Sequence, residues 1–383
     1  MPLHPLRITF VLPPPGLSGG IRVIAIHAEE LARRGHRVVL VSAAKRPPAL
    51  RSRVRSLIAG RGWPRVGGLG PSHLDDRILD HRHLAERYRV TNADVPDADV
   101  VIATWWETAE WVARFSPAKG AKAYFIQHYE AFQYMPKHRV DATWRLPMHK
   151  ITISRWLVEL ARHRFDDYDV SLVKNGVDLQ QFRAPPRGKQ SVPTVGLMYS
   201  TIPWKGLDTS LRALELVRRC FPNLALRAFG AEPLDPRLPL PDNAVYTECP
   251  PQAELPDIYA SCDVWLCGSR TEGFGLPTLE AMACRCPVVS TRVGGSMDIL
   301  RSGQNGYLVP IDDVPALADG LSAVLSLPDA RWRALSDAAY ETALEHDWQT
   351  ATDRFEAALH RAIERQWRSV AAPLRALSGL RLL

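Results

Sequence analysis

No stretch of this 383-residue sequence is both apolar and long enough to cross a lipid bilayer as a helix. The apolar run at residues 8–12 is stopped by Pro13, Pro14 and Pro15, which is not the pattern of a signal peptide. We therefore expect a cytoplasmic protein. Peripheral contact with the inner face of a membrane is a further hypothesis.

Cysteine is scarce, and the few residues present all lie in the second half of the chain. They are Cys220, Cys249, Cys262, Cys267, Cys284 and Cys286. Their spacings are not those of zinc sites, and they do not form the pattern of a disulfide framework. The alternative to a metal site is that these thiols pack as small apolar side chains, which is the better explanation. This cysteine usage indicates a reducing compartment.

Neither sign of charge dominates, since 48 Lys and Arg residues stand against 41 Asp and Glu residues and leave a net charge of +7. This excess suits phosphorylated ligands, a membrane surface or nucleic acid. Nucleic acid is the least supported of the three, because zinc-finger, RRM-like and homeodomain-like motifs are missing. Residues 45–65 are basic and contain no acidic residue. They are either a solvated, mobile insertion or a contact with anionic lipid or a polyphosphate-linked acceptor. The Arg- and Leu-rich tail from Arg368 is either disordered or lies on a membrane.

Short apolar runs alternate with amphipathic stretches along most of the chain. Residues 6–41 read as strand, helix and strand, which begins a parallel, doubly wound sheet. At about 150 residues per domain, the length allows two or three domains. The sequence therefore predicts an α/β protein with two substantial cores.

The strongest functional signal lies in residues 264–284, where a buried strand is followed by a Gly-rich loop and a helix with Pro277 in its first turn. The free N–H groups of a helix N-terminus attract an anion, and Gly273 and Gly275 let a ligand approach the backbone. Glu272 and Glu280 can accept hydrogen bonds from sugar hydroxyls. A phosphate cradle beside two such acceptors indicates a nucleotide-sugar site. A glycosidase pair would need one protonated carboxyl, whereas Glu280 should be held ionised near the helix N-terminus.

The string Glu-Gly-Phe-Gly-Leu-Pro-Thr-Leu-Glu-Ala-Met-Ala at residues 272–283 resembles the signature of glycosyltransferase family 4. The resemblance implies the GT-B fold, with two doubly wound Rossmann-like domains facing across a cleft. It predicts an acceptor-side domain at residues 1–182, a linker at 183–193 and a nucleotide-sugar donor domain at 194–350. Residues 351–383 would form a helix that crosses back to the first domain, followed by the tail.

The resemblance also implies roles for individual residues. The residues implied to bind the donor are Gly19, Gly20, Lys205, Glu272, Gly273, Phe274, Gly275, Leu276 and Glu280. The residues implied to be catalytic are His128, Lys205 and Glu272. Glu280 would hold the ribose, Glu272 the donor sugar, and Lys205 with the two glycines the diphosphate. The family usually has an arginine five residues before this lysine, but the chain has Ser200 there, for which Arg270 or Arg292 could substitute.

Polar and aromatic residues follow two further strands, where ligands of such sheets bind. Trp105 and Trp106 could stack on acceptor sugars, although core packing is the alternative. In the string Gln127-His128-Tyr129-Glu130, either Gln127 or His128 occupies the position of the family histidine. Gln127 and Glu130 are the remaining acceptor candidates.

A second family loop follows the strand that begins at Pro287. It contains Gly294 and Gly295, with Asp298 where glutamate is usual.

Asp97-Ala98-Asp99 resembles the metal motif of the other major glycosyltransferase fold, but here it precedes a strand instead of following one. Residues of this kind before a strand form an ordinary turn. We therefore predict no essential divalent metal and no cofactor besides the nucleoside-diphosphate sugar.

The predicted activity is the retaining transfer of a hexose or deoxyhexose to a hydroxyl acceptor, which we expect to be a surface glycan, lipid-linked or close to a membrane. Three alternatives remain. They are a nucleotide-sugar epimerase, a phosphorylase, and a non-catalytic partner subunit that binds a glycan.

Overall fold

The computed structural model describes residues 4–47, 55, 57, 58 and 70–378, with helix side chains up to residue 368. Most of the basic stretch at 45–65 lies outside the described residues, so neither hypothesis for it is addressed. The chain forms two compact units, each with its own core. Unit 1 comprises residues 1–152, 157–173 and 352–383, and unit 2 comprises residues 153–156 and 174–351.

Within the described residues, unit 1 contains a parallel seven-stranded sheet with the order β3-β2-β1-β4-β5-β6-β7. Its strands are β1 (Arg7–Leu12), β2 (Arg37–Ser42), β3 (Asp80–His83), β4 (Val100–Ala103), β5 (Ala121–Ile126), β6 (His149–Thr152) and β7 (Val170–Leu172). The strand order reverses between β1 and β4. In such sheets, ligands bind outside the carboxyl ends of the strands beside this reversal.

The helices of unit 1 whose bounds lie in the described ranges are α1 (Gly19–Arg33), α2 (Trp106–Val112), α3 (Lys137–Trp144), α4 (Arg155–Phe165) and α11 (Trp348–Ser378). The first two residues of α4 and the first four of α11 fall in unit 2. Helix α1 begins at Gly19, and the Ser18 hydroxyl caps it by accepting from the N–H of Ile21 at 3.4 Å. Helix α11 continues to Ser378, where the sequence favoured a disordered tail. That expectation is wrong as far as Ser378, because Ala, Leu and Arg favour a helix there.

Unit 2 contains a parallel sheet of six strands, counted over the described residues, with the order β10-β9-β8-β11-β12-β13. Its strands are β8 (Thr194–Met198), β9 (Ala225–Gly230), β10 (Ala244–Glu248), β11 (Val264–Cys267), β12 (Val288–Thr291) and β13 (Gly306–Val309). Its helices are α5 (Leu207–Cys220), α6 (Leu255–Ala260), α7 (Leu276–Ala283), α8 (Ser296–Ile299), α9 (Val314–Leu325) and α10 (Asp329–Leu344). The order reverses between β8 and β11, so the Gly-rich loop after β11 lies at the reversal.

The segment predicted as a linker, residues 183–193, is fastened to unit 2. The backbone N–H of Lys189 donates to Asp329, and the N–H of Gln190 donates to Asp263. Asp263 is buried, and its burial raises the pKa of its carboxyl above the ordinary value. The compact unit accordingly begins at Lys174, before the predicted linker.

The six thiols are all free. Cys262, Cys284 and Cys286 are buried, and burial raises the pKa of Cys262 to about 12. Cys267 is half-buried, whereas Cys220 and Cys249 are exposed, so packing as a small apolar side chain does not describe those two. Across the parts of the chain that the structure describes, no helix is long and apolar enough to traverse a bilayer.

Candidate functional site

Helix α7 begins at a glycine in a left-handed conformation. Gly275 has φ +89° and precedes the first helical residue, Leu276. A side chain at this residue would meet only the hydroxyls of Ser296 and Thr278, both at 3.7 Å, so Gly275 is required for its backbone angle and not for crowding. The Thr278 hydroxyl is buried without a hydrogen-bond partner among the described residues. The first turn of α7 thus combines helix N–H groups with an unsatisfied hydroxyl, a suitable setting for an anion.

Two glycines after β12 shape the loop that precedes α7. Gly294 has φ +48°, and a Cβ atom there would lie 2.4 Å from the carbonyl oxygen of Glu272. A Cβ atom on Gly295 would lie 2.5 Å from the ring of Phe274. Phe274 is itself buried, so its ring fixes the loop and is not available to a ligand. The second family loop therefore supports the Gly-rich loop by direct backbone contact.

Lys205 and Glu272 form a salt bridge across 67 residues of sequence. The Lys205 Nζ atom lies 2.8 Å from Glu272 Oε1 and 3.0 Å from Oε2. The Ser269 hydroxyl also donates to Oε1, at 2.7 Å. Both side chains of the bridge are partly exposed, at 23% and 13%. Two residues predicted to act on the donor are thus in contact, and solvent reaches both.

Arg270 fastens the turn that carries Lys205. Its guanidinium bonds Asp208 at 2.7 Å and Asp312 at 2.7 Å, and donates to the carbonyl of Pro203. Pro203–Lys205 is a 3-10 turn, and its carbonyl at Trp204 accepts from the N–H of Arg270. Since two carboxylates already hold it, Arg270 does not replace the arginine missing at Ser200. The other candidate, Arg292, is exposed.

A close backbone contact joins the same turn to β11. Gly206 has φ +63°, and a Cβ atom there would lie 2.0 Å from the carbonyl oxygen of Gly268. A glycine therefore follows Lys205 for a steric reason, because a side chain at 206 would prevent this turn from contacting the start of the Gly-rich loop.

Glu280 lies inside unit 2, on α7. Its carboxyl is 4% exposed and accepts from the Tyr259 hydroxyl at 2.9 Å. Tyr259 in turn packs its ring against Trp265 on β11. The Tyr259 hydroxyl thus orients Glu280, the residue predicted to bind the ribose. The sequence alone did not identify Tyr259.

Residues 153–156, which include the first two residues of α4, belong to unit 2 and contact the site loop. The Ser154 hydroxyl and the Trp156 indole N–H both donate to the carbonyl of Gly273, at 2.9 and 3.1 Å. Asp298 accepts from the N–H of Arg155, the first residue of α4, at 2.9 Å. These contacts were missed in the sequence, because neither Ser154 nor Trp156 lies in a recognisable motif. Asp298 stands where the family usually has glutamate. It fits this position, because a carboxylate beside the start of a helix is favourable.

In unit 1, the two glycines predicted to lie in a loop are the first two residues of α1, and the second of them contacts the loop after β5. Gly19 is exposed at the start of the helix, and the carbonyl of Gly20 accepts from the Gln127 side chain at 3.0 Å. Gln127 is therefore a support for Gly20. His128, the next residue, is left as the better candidate for the family histidine.

The backbone determines the tautomer of His128. Its Nδ1 lies 2.9 Å from the carbonyl oxygen of Tyr129. A carbonyl only accepts hydrogen bonds, so Nδ1 carries the proton and Nε2 of the neutral ring is an acceptor. The imidazole is half-buried and stacks on Phe132 at 5.0 Å.

The remaining acceptor candidates are mostly internal. Trp106 is buried, and its N–H donates to the Glu130 carboxyl at 2.9 Å. Burial raises the pKa of Glu130 well above its ordinary value. The structure thus favours the core-packing alternative for Trp106. Glu130 is buried and accepts a hydrogen bond from the backbone N–H of Trp106. Trp105 is half-buried at the start of α2.

The Asp-x-Asp string lies directly before β4, and its carboxylates are paired. Asp99 bonds Arg7 at 2.8 Å, which holds the pKa of Asp99 below its ordinary value, and Asp97 bonds Lys119 at 2.9 Å. Over the described ranges, no group of three His, Cys, Asp or Glu side chains could hold a metal ion.

Part of the chain that carries this arrangement matches a known protein family. Residues 189–326 match the family described as glycosyl transferases group 1. Through this segment, the chain is similar to that family. The match covers the Lys205 turn, the Gly-rich loop and α7, so the Lys205–Glu272 contact lies inside the matched segment.

Two curated relatives share about a third of their aligned residues with this chain. A D-inositol 3-phosphate glycosyltransferase of Thermobispora bispora is 32% identical over 255 residues, covering 60% of this chain and 59% of the relative. A GDP-mannose-dependent alpha-(1-6)-phosphatidylinositol monomannoside mannosyltransferase of Mycolicibacterium smegmatis is 32% identical over 200 residues, covering 46% and 52%. The chain spans between half and three-fifths of the length of these two relatives.

Solved structures share the fold. HepE of Anabaena, in complex with UDP-glucose, superimposes with a TM-score of 0.68 at 18% identity, covering 93% of this chain and 100% of that one. This likeness shows the fold, which is GT-B, with two Rossmann-like units.

Proposed function

We propose that the chain is a retaining glycosyltransferase that moves a hexose or deoxyhexose from a nucleoside-diphosphate sugar to a hydroxyl acceptor, without an essential metal. The observation that carries the proposal is the contact between Lys205 and Glu272 beside the N-terminus of α7. It brings together a cation for the diphosphate and an acceptor for sugar hydroxyls, next to a helix start that favours anions.

The salt bridge suggests how the donor engages. A diphosphate at the start of α7 would compete with Glu272 for the Lys205 ammonium, since both offer negatively charged oxygens. Release of the carboxylate would then free it to accept from donor hydroxyls. Lys205 and the helix N–H groups would stabilise the charge that develops on the leaving diphosphate, and removing one such contact typically costs about 3–4 kcal/mol of transition-state stabilisation.

Glu280 is assigned to binding the donor. Oriented by Tyr259, it would accept from the ribose hydroxyls.

The relatives guide the choice of substrates to test. One relative is named for GDP-mannose and a phosphatidylinositol mannoside, another for D-inositol 3-phosphate, and the HepE structure holds UDP-glucose. We propose a saccharide or lipid-linked acceptor of a cell-envelope glycan, reached by peripheral contact with an anionic membrane.

A non-catalytic subunit is the second candidate, and Ser200 is the observation that favours it. The Ser200 hydroxyl accepts from the backbone N–H of Ile202 at 3.4 Å, so it serves the local turn. Because Arg270 is held by two carboxylates, the diphosphate site has fewer cations than the family pattern supplies. Such a subunit would bind a glycan or a partner without releasing nucleotide.

The test is nucleotide release from UDP-, GDP- and dTDP-sugars with EDTA present. Wild-type protein should hydrolyse one donor slowly, and Lys205→Ala and Glu280→Ala should each lower that rate at least tenfold. The matched control is Lys189→Ala, a lysine of the same unit that bonds backbone carbonyls of 325 and 327. Absence of release from every donor, together with no thermal stabilisation by saturating nucleotide, would favour the non-catalytic subunit. Binding at a hundredfold excess over Kd should add about 2.7 kcal/mol.

A further inference from the structure

A cavity of about 260 Å³ lies in unit 1, between the end of α11 and the residues that precede β4 and β5. We call it the Trp367 cavity. Its lining is mostly apolar, with one carboxylate, and includes Asp99, Pro117, Ala121, Ile363 and Trp367. Drug-sized ligands usually fill pockets of about 300–1,000 Å³, so this volume suits a smaller molecule.

Backbone contacts hold the side of the cavity that the two strands form. Gly120, just before β5, has φ +91°, and a Cβ atom there would lie 2.5 Å from the backbone carbonyl carbon of Asp99. The N–H of Ala121 donates to the carbonyl of Asp99 at 2.9 Å, and the N–H of Gly120 donates to that of Pro117 at 3.0 Å. This side of the cavity is therefore preformed.

An exposed tryptophan forms the opposite side. Ile363 and Trp367 are four residues apart on α11, so they lie on the same face of the helix. The Trp367 side chain is 70% exposed, although apolar side chains of this size are mostly buried in folded proteins. Apolar surface in water carries a cost in free energy, which a bound apolar surface offsets. Trp367 thus presents an indole face beside the cavity.

The carboxylate in the lining is ionised and can accept further hydrogen bonds. Asp99 accepts three bonds from Arg7, of which those from the backbone N–H and from one guanidinium nitrogen are 2.8 Å long. The guanidinium beside it holds the pKa of Asp99 below its ordinary value. A carboxylate has about four acceptor positions, and the Asp99 side chain is 33% exposed. A ligand in the cavity can therefore donate to Asp99.

We propose that the Trp367 cavity binds one neutral hexose unit of a glycan, with a C–H face of the sugar ring against the Trp367 indole and a ring hydroxyl donating to Asp99. A pyranose carries C–H groups on its faces and hydroxyls around its rim, which matches an aromatic face beside an acceptor. The lining residues Asp99 and Ala121 lie at the amino ends of β4 and β5, whereas the reactants of such folds bind at the carboxyl ends. The cavity is thus a second saccharide site that goes beyond the proposed function.

Charge favours a neutral ligand over an ion. An anion, such as a phosphate or the surface of an anionic membrane, would be repelled by the Asp99 carboxylate. A cation would be attracted weakly, because Arg7 already neutralises that carboxylate at 2.8 Å. A hydroxyl group donates a hydrogen bond to Asp99 without adding a charge.

Direct binding tests the cavity without any donor. Saturation-transfer difference NMR would be run with methyl α-D-mannopyranoside, methyl α-D-glucopyranoside and methyl α-D-galactopyranoside, and with choline as the cationic comparison ligand. We expect at least one glycoside to bind the wild type. Trp367→Leu should weaken that binding about 3- to 10-fold, the range for loss of one aromatic contact. Trp367→Phe, which keeps a smaller ring, should weaken it less.

The matched control is Tyr168→Leu. Tyr168 is also an aromatic residue of unit 1 with 70% exposure, and it lies just before β7 and away from the lining of the cavity. This variant should bind glycosides as the wild type does. Nucleotide release from the donor should be the same in Trp367→Leu as in the wild type, because the indole is assigned no part in the reaction.

Three results would reject the saccharide site. They are a wild type that binds no glycoside, equal glycoside binding by Trp367→Leu and the wild type, and choline binding that alone depends on Trp367. If Trp367→Leu lost binding to anionic vesicles or lost self-association with glycoside binding unchanged, the indole would instead belong to a membrane contact or to a contact with a second copy.

Nucleotide release tests the proposed function separately. Trp367-dependent glycoside binding without release from any donor would support the cavity and reject the transferase. Release from one donor without Trp367-dependent glycoside binding would support the transferase and reject the cavity.

Discussion

At the scale of residues, the site of unit 2 depends on which charges are satisfied within the protein and which remain available. Arg270 bonds Asp208 and Asp312, whereas Lys205 bonds only a carboxylate that a ligand could replace. The sequence shows both cations near the loop and does not distinguish them. The structure ties Arg270 to the Lys205 turn, and under the proposed function the charge of Lys205 is the one that meets the donor.

Replacement of Arg270 by glutamine tests this division. The change should lower the free energy of unfolding by about 1 kcal/mol, since a partly exposed ionic network is lost. It should also lower the kcat of donor hydrolysis more than it raises KM, because the Lys205 turn loses its tie to the Pro203 carbonyl. Steady-state kinetics and urea denaturation measure the two effects.

The control for Arg270 is Arg237→Gln. The Arg237 side chain is 87% exposed and pairs with Asp235 two residues away in sequence. We expect wild-type kinetics and stability from it. Wild-type values in Arg270→Gln as well would contradict the positioning role.

At the scale of elements, the loop before α7 is held by glycines that allow backbone to touch backbone. Gly206 meets Gly268, and Gly294 meets Glu272. Each contact joins a loop after one strand to the loop after another at the carboxyl edge of the sheet. The loops thus support each other at the reversal of strand order.

Gly294→Ala tests whether this contact supports the loop. Gly303→Ala is the matched control, because Gly303 also has a left-handed φ, +78°, but nothing lies within 4 Å of its Cβ position. The backbone strain alone should cost Gly303→Ala about 1 kcal/mol. Gly294→Ala should lose a further ~1–3 kcal/mol from the clash with Glu272. Urea denaturation gives both values, and equal losses would show that the contact is unimportant.

At the scale of the whole molecule, the end of the chain completes the core of the unit in which it began. Phe355 on α11 stacks on His27 of α1 at 4.5 Å and packs edge-on against Phe125 of β5 at 4.9 Å. His27 Nδ1 lies 2.9 Å from the Thr352 hydroxyl. Because the imidazole is fully buried, its pKa is lowered to about 3.

The buried His27 predicts a pH dependence of stability. The folded protein keeps this ring neutral, while the unfolded chain protonates it near its ordinary pKa of about 6.5. As the pH falls from 6.5 towards 3, the unfolded state therefore binds a proton that the folded state does not. Stability should fall in this window by about 1.4 kcal/mol per pH unit from this group, and above pH 6.5 the group has no effect.

His27→Phe removes the titration and keeps a ring against Phe355. Its free energy of unfolding, measured by urea denaturation between pH 7 and pH 5, should decline less steeply than that of the wild type. Burial also lowers the pKa values of His73, His81 and His149, so some decline remains in the variant. Identical slopes in both proteins would show that His27 is not the responsible group.

Much of the secondary structure followed from local pattern. The strand, Gly-rich loop and helix at residues 264–284 were predicted together, and the structure has them as β11 and α7. The tail was predicted less well, because a proline at 373 disfavours a helix interior whereas the Ala, Leu and Arg around it favour one. Trp106 and Glu130 look like ligand contacts in the sequence, since both follow strands, but each is buried against the other.

The sequence by itself determined the alternation of strands and helices, the glycine loops and the helix N-terminus that make this a GT-B protein. These features depend on residues close together in the chain, where periodicity, proline and glycine act directly. Tertiary structure alone decided that Lys205 meets Glu272, that Arg270 is held by acidic side chains and that Tyr259 orients Glu280. Those contacts join residues 21 to 67 positions apart, and they form because the strand order brings separate loops to one edge of the sheet.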